Sequence, residues 1–240
     1  MSGANWNEYA EKHAHFAGAL PVWLAHMPEL SEKSVVLDIG TSDGGVTGWL
    51  RKKAAPAHVI GVDYALSRCR RCRDTAKVPV VQADGARLPF VDGVCEVLIS
   101  NQLIEHVPDD LALMAEFGRL VRPGGLLMVG SVVHPVWRWY FYRNEFGERT
   151  LDPTHLREYP SVDAITALFP SAYTIEAVES VCPRVSLWHG CVRLAMKHLG
   201  GLGTWLWEQR NKSWWQILGR LTALPLAGYR EVMIVARRTP

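Results

Sequence analysis

The chain has 240 residues, of which 48% are hydrophobic, and its formal net charge is +2. This length and composition suffice for a sizeable core and predict a single α/β domain, residues 1–240, with elaborations. The nearly balanced charge and the lack of a long Lys/Arg run argue against a nucleic-acid-binding protein. Five cysteines that do not pair evenly, with no recognisable secretory signal peptide, predict a cytoplasmic protein.

The segment from Val35 to Thr47, VVLDIGTSDGGVT, combines an apolar run with a glycine-rich turn. The run leads to Asp38, and small residues then stand at every second position: Gly40, Ser42 and Gly44. Such a run indicates a buried parallel strand, and residues 45–53 can form the next helix. Because glycine allows a sharp turn and a close approach of a ligand, this unit indicates a nucleotide-type site. A plain tight turn is the alternative.

Two further apolar runs end in acidic residues. The second run, 58–62, ends in Asp63, where an acid can accept hydrogen bonds from both hydroxyls of a ribose. The third run, 79–82, leads to Asp84. Each acid also has a structural interpretation, as a capping or turn residue at the end of a strand.

The remaining predicted elements complete an alternation of strands and helices. The fourth run, 94–100, ends at Asn101, and LVRPGG at 120–125 predicts a helix end and a turn into a fifth strand at 126–133. The last predicted elements are a helix at 161–169, a sixth strand at 173–181 and a final strand at 229–237.

Together these motifs resemble the class I S-adenosylmethionine-dependent methyltransferases that act on small molecules, of the methyltransferase type 11-like family. The matching stretches, between Ser34 and Val133, are VVLDIGTSDGG, VIGVDYA, VVQADGARLPFVDGVCEVLISNQLIEHVPD and LMAEFGRLVRPGGLLMVGSV. Ser42 departs from the pattern, since the family usually has glycine there. The resemblance implies a Rossmann-like, seven-stranded, mostly parallel sheet in the order 3-2-1-4-5-7-6. Helices on both faces, an antiparallel final strand and a helical cap complete the expected fold.

The resemblance also implies S-adenosylmethionine as cofactor and S-adenosylhomocysteine as product. The residues expected to bind the cofactor are Asp38, Gly40, Ser42, Gly44, Asn101 and Gln102 at the methionine part, Asp63 at the ribose, Tyr64 beside the adenine, and Asp84 and Gly85 at the adenine amino group. An N-terminal helix, within residues 1–30, is predicted from its amphipathic spacing. It either packs on the sheet or acts as a lid whose Tyr9 reaches the cofactor.

Two C-terminal elaborations, 134–160 and 183–228, are longer than plain connections require. The first is expected over the open ends of strands four and five, where a methyl acceptor must sit. The second holds five of the ten tryptophans and is predicted to be a helical cap, with a dimerisation or core-extending element and a membrane-surface helix as alternatives. The expected substrate contacts are Trp137, Tyr140, His155, Tyr159 and Trp188.

The expected chemistry follows from an activated sulfonium methyl, which needs chiefly alignment with a nucleophile and exclusion of water. An oxygen acceptor must also lose a proton, and histidine suits that task. His134 and His106, just beyond strands five and four, are the candidate bases, although His106 can equally be structural. No metal site is predicted, because the CxxC of Cys69 and Cys72 has no second ligand cluster.

The sequence therefore predicts a methyltransferase for a small, apolar or aromatic acceptor, such as a natural-product or lipid intermediate. The alternatives are an RNA or protein methyltransferase, and a protein of this fold that binds the cofactor without methyl transfer. A small-molecule acceptor is the expected partner and nucleic acid is not. Peripheral membrane contact and the choice between monomer and homodimer stay open.

Overall fold

The computed structural model describes residues 21–55, 57–134, 142–143, 146–152, 154–182, 184–188, 191–192, 195, 198, 201–209, 213–225 and 228–240. Three predicted site residues, Tyr9, Trp137 and Tyr140, lie outside the described residues, as does most of the predicted N-terminal lid. The lid and these three contacts therefore stay predictions.

Strands and helices alternate through the first half of the chain. The strands are β1 (Val35–Ile39), β2 (His58–Asp63), β3 (Val80–Gln82), β4 (Cys95–Asn101), β5 (Val121–Val133), β6 (Tyr142–Arg143), β7 (Arg149–Thr150), β8 (Tyr173–Val181), β9 (Arg184–Ser186), β10 (Ala223–Pro225) and β11 (Arg230–Arg238). The helices are α1 (Gly45–Lys53), α2 (Leu66–Ala76), α3 (Asp110–Leu120), α4 (Val162–Thr166), α5 (Gly201–Glu208) and α6 (Ser213–Leu221), with 3-10 turns at Val22–His26 and Ile104–His106.

Seven strands form one sheet in the order β3-β2-β1-β4-β5-β11-β8. Counted among themselves, they have the predicted order 3-2-1-4-5-7-6. The first five pair in parallel, whereas β11 is antiparallel to both β5 and β8. The predicted Rossmann-like α/β fold is confirmed.

The sheet is covered on both faces, because successive side chains of a strand point to opposite sides. Leu37 and Leu98 belong to the core cluster that includes Phe117 of α3. Val36 and Ile99 belong to the other cluster, which contains residues of α1 and α2: Leu50, Cys72 and Ala76. The apolar runs of β1 and β4 are continuous because both of their faces are buried.

The structure differs from the sequence prediction at the start of β5, which begins at Val121 rather than at 126. Cys95 pairs with Val121 and Val97 already pairs with Leu126, so the intervening residues form a bulge. Gly124 has a φ of +75°, a conformation that favours glycine. The predicted helix end at LVRPGG is present, but the chain joins the sheet within this motif. The predicted helix at 161–169 is also shorter, ending at Thr166.

The second elaboration contains α5 and α6, between β9 and β10, which pair in an antiparallel two-stranded sheet. The indole ring of Trp188 lies edge-on to those of Trp214 and Trp215, with centroid distances of 6.3 and 5.4 Å. Trp215 is buried, whereas Leu221 at the end of α6 is 78% exposed. The predicted helices are present; their action as a cap stays a prediction. Among the described residues, no helix has the length and apolar character to cross a membrane.

Candidate functional site

The turn between β1 and α1 has an unusual backbone. Gly40 and Gly44 have φ values of +83° and +82°, and Ser42 has a φ of +50°. The backbone N–H of Gly40 donates to the carbonyl of Val62 at 2.8 Å, which holds the turn against β2. A Cβ at Gly44 would lie 2.8 Å from Cα of Cys72, so only glycine fits there without moving the α2 backbone. The predicted glycine loop is therefore a close-packed, left-handed turn.

Asp63, at the end of β2, is buried and holds this turn. Its Oδ2 accepts a hydrogen bond from the backbone N–H of Ser42, and its Oδ1 accepts one from Ala65, each at 2.9 Å. Burial is the largest cause that raises the pKa of Asp63. Within the described part of the chain, the buried hydroxyl of Ser42 makes no hydrogen bond. A polar ligand at this turn would give that hydroxyl a partner.

Asp38, at the carboxyl end of β1, is a second buried acid beside the same turn. The hydroxyl of Thr47 in α1 donates to its Oδ2 at 2.6 Å. Burial raises the pKa of Asp38 to about 6, with a further contribution from the charge of Asp63. The position is therefore suited to a cationic ligand group, which would stabilise the carboxylate.

Asp84 and Gly85 lie in the turn after β3, and Asp84 is exposed. The Asp84 carboxylate accepts from the N–H of Ala86 at 3.0 Å, which is the turn geometry expected of a structural aspartate. A Cβ at Gly85 would lie 2.8 Å from Leu113. Tyr64 is 46% exposed, and its ring can cover a ligand from the side of β2.

Asn101 is the last residue of β4, next to β1, and Gln102 follows it. Gln102 has a φ of +57°, and its N–H donates to the carbonyl of Gly130 in β5 at 2.9 Å. β2, β1 and β4 are neighbours in the parallel sheet, so Asp63, Asp38 and Asn101 stand at the same edge. The structure thus brings the predicted cofactor residues of these three strands together.

A second polar group lies beyond the ends of β4 and β5; the sequence prediction named its two histidines, His106 and His155, but not Glu105. Glu105, in the 3-10 turn after β4, is 1% exposed. Its Oε2 accepts from the hydroxyl of Ser131 in β5 at 2.9 Å. Burial raises the pKa of Glu105 to about 7.

The two histidines of this group have their ring centroids 4.8 Å apart. His106 has its Nδ1 3.1 Å from the carbonyl oxygen of Thr154, and burial followed by the charge of His155 lowers the pKa of His106 to about 4. His155 has its Nδ1 3.1 Å from Oε1 of Glu158. Burial alone would lower the pKa of His155, but the Glu158 bond and the charge of Glu105 outweigh it and raise that pKa.

The other predicted acceptor-side residues have different surroundings. His134, the residue after β5, is 9% exposed, and its backbone N–H donates to the carbonyl of Tyr159 at 3.0 Å. Tyr159 is buried in the core, and its hydroxyl donates to Asp110 at 2.8 Å, so its ring has a structural role in addition to any substrate contact. Trp188 is half-buried in the insertion, where its backbone N–H donates to Thr222.

The chain is similar to known methyltransferases. Residues 37–129 match the sequence profile of a family described as a methyltransferase domain. A malonyl-[acyl-carrier protein] O-methyltransferase of Marinomonas sp. (strain MWYL1) is 25% identical over 202 residues, which are 80% of this chain and 72% of that protein. A demethylmenaquinone methyltransferase of Thermus thermophilus is 27% identical over 159 residues, 57% of this chain and 72% of the relative.

Solved structures agree on the fold. The geranyl diphosphate C-methyltransferase of Streptomyces coelicolor A3(2), solved with Mg²⁺, geranyl diphosphate and S-adenosyl-L-homocysteine, superposes with a TM-score of 0.57. The alignment covers 98% of this chain and 80% of that one, at 14% sequence identity. At such identity the likeness concerns the fold alone.

Proposed function

We propose that the chain is a class I S-adenosylmethionine-dependent methyltransferase that methylates a small apolar or aromatic molecule. One observation carries the proposal: two buried acids and a left-handed glycine turn share the carboxyl edge of the sheet with a buried histidine cluster. The acids, Asp38 and Asp63, mark the cofactor side. The cluster, beyond the ends of β4 and β5, marks the side from which an acceptor would approach.

The residues of the cofactor side fit S-adenosylmethionine. A carboxylate has about four acceptor positions, so Asp63 can bind ribose hydroxyls while it still accepts from Ser42 and Ala65. The buried Ser42 hydroxyl, which has no partner among the described residues, offers a further polar contact. The Asp38 carboxylate would stabilise the cationic methionine end. When bound, the cofactor supplies a methyl group that its sulfonium charge already activates.

On the acceptor side, we assign the role of general base to His134. It directly follows β5, is 9% exposed, and its backbone N–H donates to the carbonyl of Tyr159 at 3.0 Å, so it lies at the edge of the sheet from which an acceptor would approach. A positioned histidine can take up the proton of a hydroxyl acceptor as that acceptor attacks the methyl group. His106 is a weaker candidate, because its pKa of about 4 makes it a poor base near neutral pH.

The indole rings of Trp188, Trp214 and Trp215 support an apolar or aromatic acceptor. They contact one another edge to face, with centroids 5.4 to 6.3 Å apart. Aromatic rings provide large apolar contact areas with few rotatable bonds. We place the acceptor's apolar part against this tryptophan cluster.

Calorimetric titration with S-adenosylhomocysteine, and with NAD as the control ligand, tests the cofactor. We expect binding of the first only, weakened about 5- to 150-fold in Asp63→Ala, which removes a charged hydrogen-bond acceptor. Asp74→Asn, at an exposed position of α2, is the matched control. Release of S-adenosylhomocysteine with a panel of aromatic and apolar hydroxy compounds, against RNA and protein acceptors, then tests the substrate class. NAD binding without S-adenosylhomocysteine binding would refute the proposal.

A further inference from the structure

The buried cluster beyond β4 and β5 has the composition of a metal centre. We propose that Glu105, His106 and His155 bind a divalent transition-metal ion of the Zn²⁺ type. One ligand atom from each of these side chains lies within 4.8 Å of the other two. The sequence did not suggest this site, because the pair at 105–106 and the histidine at 155 are distant along the chain.

The three ligand atoms are close to the separation that a zinc ion requires. Zinc bonds to histidine nitrogen and carboxylate oxygen are about 2.0–2.2 Å long, so ligands around a tetrahedral ion lie about 3.4 Å apart. To bring the ligand atoms from a separation of 4.8 Å to about 3.4 Å, each side chain would have to move by about 1 Å. The backbone is already held, since the N–H of Leu156 donates to the carbonyl of Glu105 at 2.9 Å.

The second nitrogen of each histidine is oriented as in known metal sites, where it donates to a carboxylate or a carbonyl. His155 Nδ1 faces the Glu158 carboxylate at 3.1 Å. His106 Nδ1 lies 3.1 Å from both the carbonyl and the hydroxyl oxygen of Thr154. The Thr154 hydroxyl gives its proton to Asp152, so His106 Nδ1 must be the donor. In its neutral form, each ring then carries the metal-binding lone pair on Nε2.

Glu105 provides an independent observation. Its Oε2 accepts from Ser131, but its Oε1 is buried and has no hydrogen-bond partner among the described residues. A buried carboxylate oxygen without a donor is costly, and a bound cation removes that cost. The carboxylate therefore supplies the third ligand of the site.

The donor set selects the type of metal. Two imidazoles and one carboxylate suit zinc and neighbouring first-row ions, whereas Mg²⁺ and Ca²⁺ prefer oxygen ligands alone. Three protein ligands leave a fourth position for water or an oxygen of another molecule, the arrangement of catalytic zinc sites. Binding of the metal does not depend on the proposed methyl transfer.

The test uses the full chain, stripped with a chelator and titrated with ZnCl₂ and, separately, with MgCl₂. We expect one zinc equivalent and no magnesium binding. Glu105→Gln, His106→Gln and His155→Gln should each weaken zinc binding at least 100-fold, and Glu158→Gln should weaken it about 10- to 100-fold. The matched control is His26→Gln, because His26 also pairs with a glutamate, Glu179, at 2.7 Å, but elsewhere on the sheet. It should keep the wild-type affinity.

Folding of each variant is checked by circular dichroism and by S-adenosylhomocysteine titration, which also separates this proposal from that of the cofactor. Co²⁺ absorption provides a second reading, since a low-coordinate cobalt centre is strongly coloured. Lack of stoichiometric zinc binding by the wild-type chain would overturn the proposal. Zinc binding that survives in the folded Glu105, His106 and His155 variants would overturn it equally.

Discussion

The backbone N–H of Ser42 donates a 2.9 Å hydrogen bond to Oδ2 of Asp63. This contact joins the turn after β1 to the end of β2. The acid that we propose as the ribose ligand therefore also fixes the turn that we propose for the methionine part. The shape of the turn and the position of the Asp63 carboxylate should therefore change together.

Gly44→Ala should destabilise the protein by about 2–4 kcal/mol, because the residue has a φ of +82° and its Cβ would lie 2.8 Å from Cα of Cys72. Gly48→Ala, one turn further along α1, is the matched control. Its Cβ would meet only Ala76 at 3.8 Å, so it should stabilise the helix by about 0.5–1 kcal/mol. Urea unfolding measures both changes. Equal effects of the two substitutions would contradict the close packing of the turn.

Asp38→Asn should stabilise the protein at neutral pH. The folded pKa of Asp38, about 6, exceeds the ordinary value of 3.8, so the folded state holds the proton more tightly. Stability is therefore lost as pH rises through the window from 3.8 to about 6. Asparagine carries no charge and keeps the acceptor for Thr47. We expect a gain of up to about 3 kcal/mol above pH 7 and little gain at pH 4.

Unfolding curves at pH 4, 5.5 and 7.5 check this expectation. Asp74→Asn, which changes an exposed acid, should shift stability by less than about 0.5 kcal/mol. Asp38→Asn should also bind S-adenosylhomocysteine more weakly, because the carboxylate proposed to stabilise its cationic end is lost. A pH-independent difference between wild type and Asp38→Asn would argue against a buried charge at this position.

His134→Gln should lower kcat by about 10²- to 10⁴-fold with a hydroxyl acceptor, because the variant cannot take up the proton. S-adenosylhomocysteine affinity should stay within threefold, since His134 lies on the acceptor side. Steady-state kinetics and calorimetry measure the two quantities separately. A variant with full kcat on a hydroxyl acceptor would exclude His134 as the base, whereas an acceptor that has no proton to lose should show no such loss.

Trp188→Ala should raise the KM for the acceptor about tenfold or more and leave S-adenosylhomocysteine affinity within threefold. The matched control is Trp205→Ala, because Trp205 is 53% exposed in the same insertion. Its kinetics should equal those of the wild type. An unchanged KM in Trp188→Ala would instead favour dimerisation or membrane contact as the role of residues 183–228, and sedimentation and vesicle binding would decide between these.

Local signals in the sequence predicted the strands, the helices and the glycine turn, because each depends on a few neighbouring residues, whereas the strand order and the cofactor roles came from the resemblance to the methyltransferase family. Gly40, Gly44 and Asp63 all follow apolar runs whose period identifies the strands. The start of β5 was misplaced because a bulge between Cys95 and Val97 depends on pairing, which the local pattern does not encode. Glu105 was overlooked as a site residue, because its candidate role depends on its proximity to His155, which lies fifty positions later in the chain.

The parallel bridge between Val133 and Tyr159 has a consequence for how acceptor preference can change. Together with the Leu156–Glu105 hydrogen bond, it brings the chain back to the point at which it left the sheet. The entropic cost of closing a loop increases only slowly with loop length. We therefore expect that the stretch between Val133 and Leu156 can be replaced by one of another length. We therefore expect that exchanging residues 135–150 would change the acceptor preference while the positions of His134 and His155 stay the same. This stretch would then be the part of the chain to vary when a different acceptor is wanted.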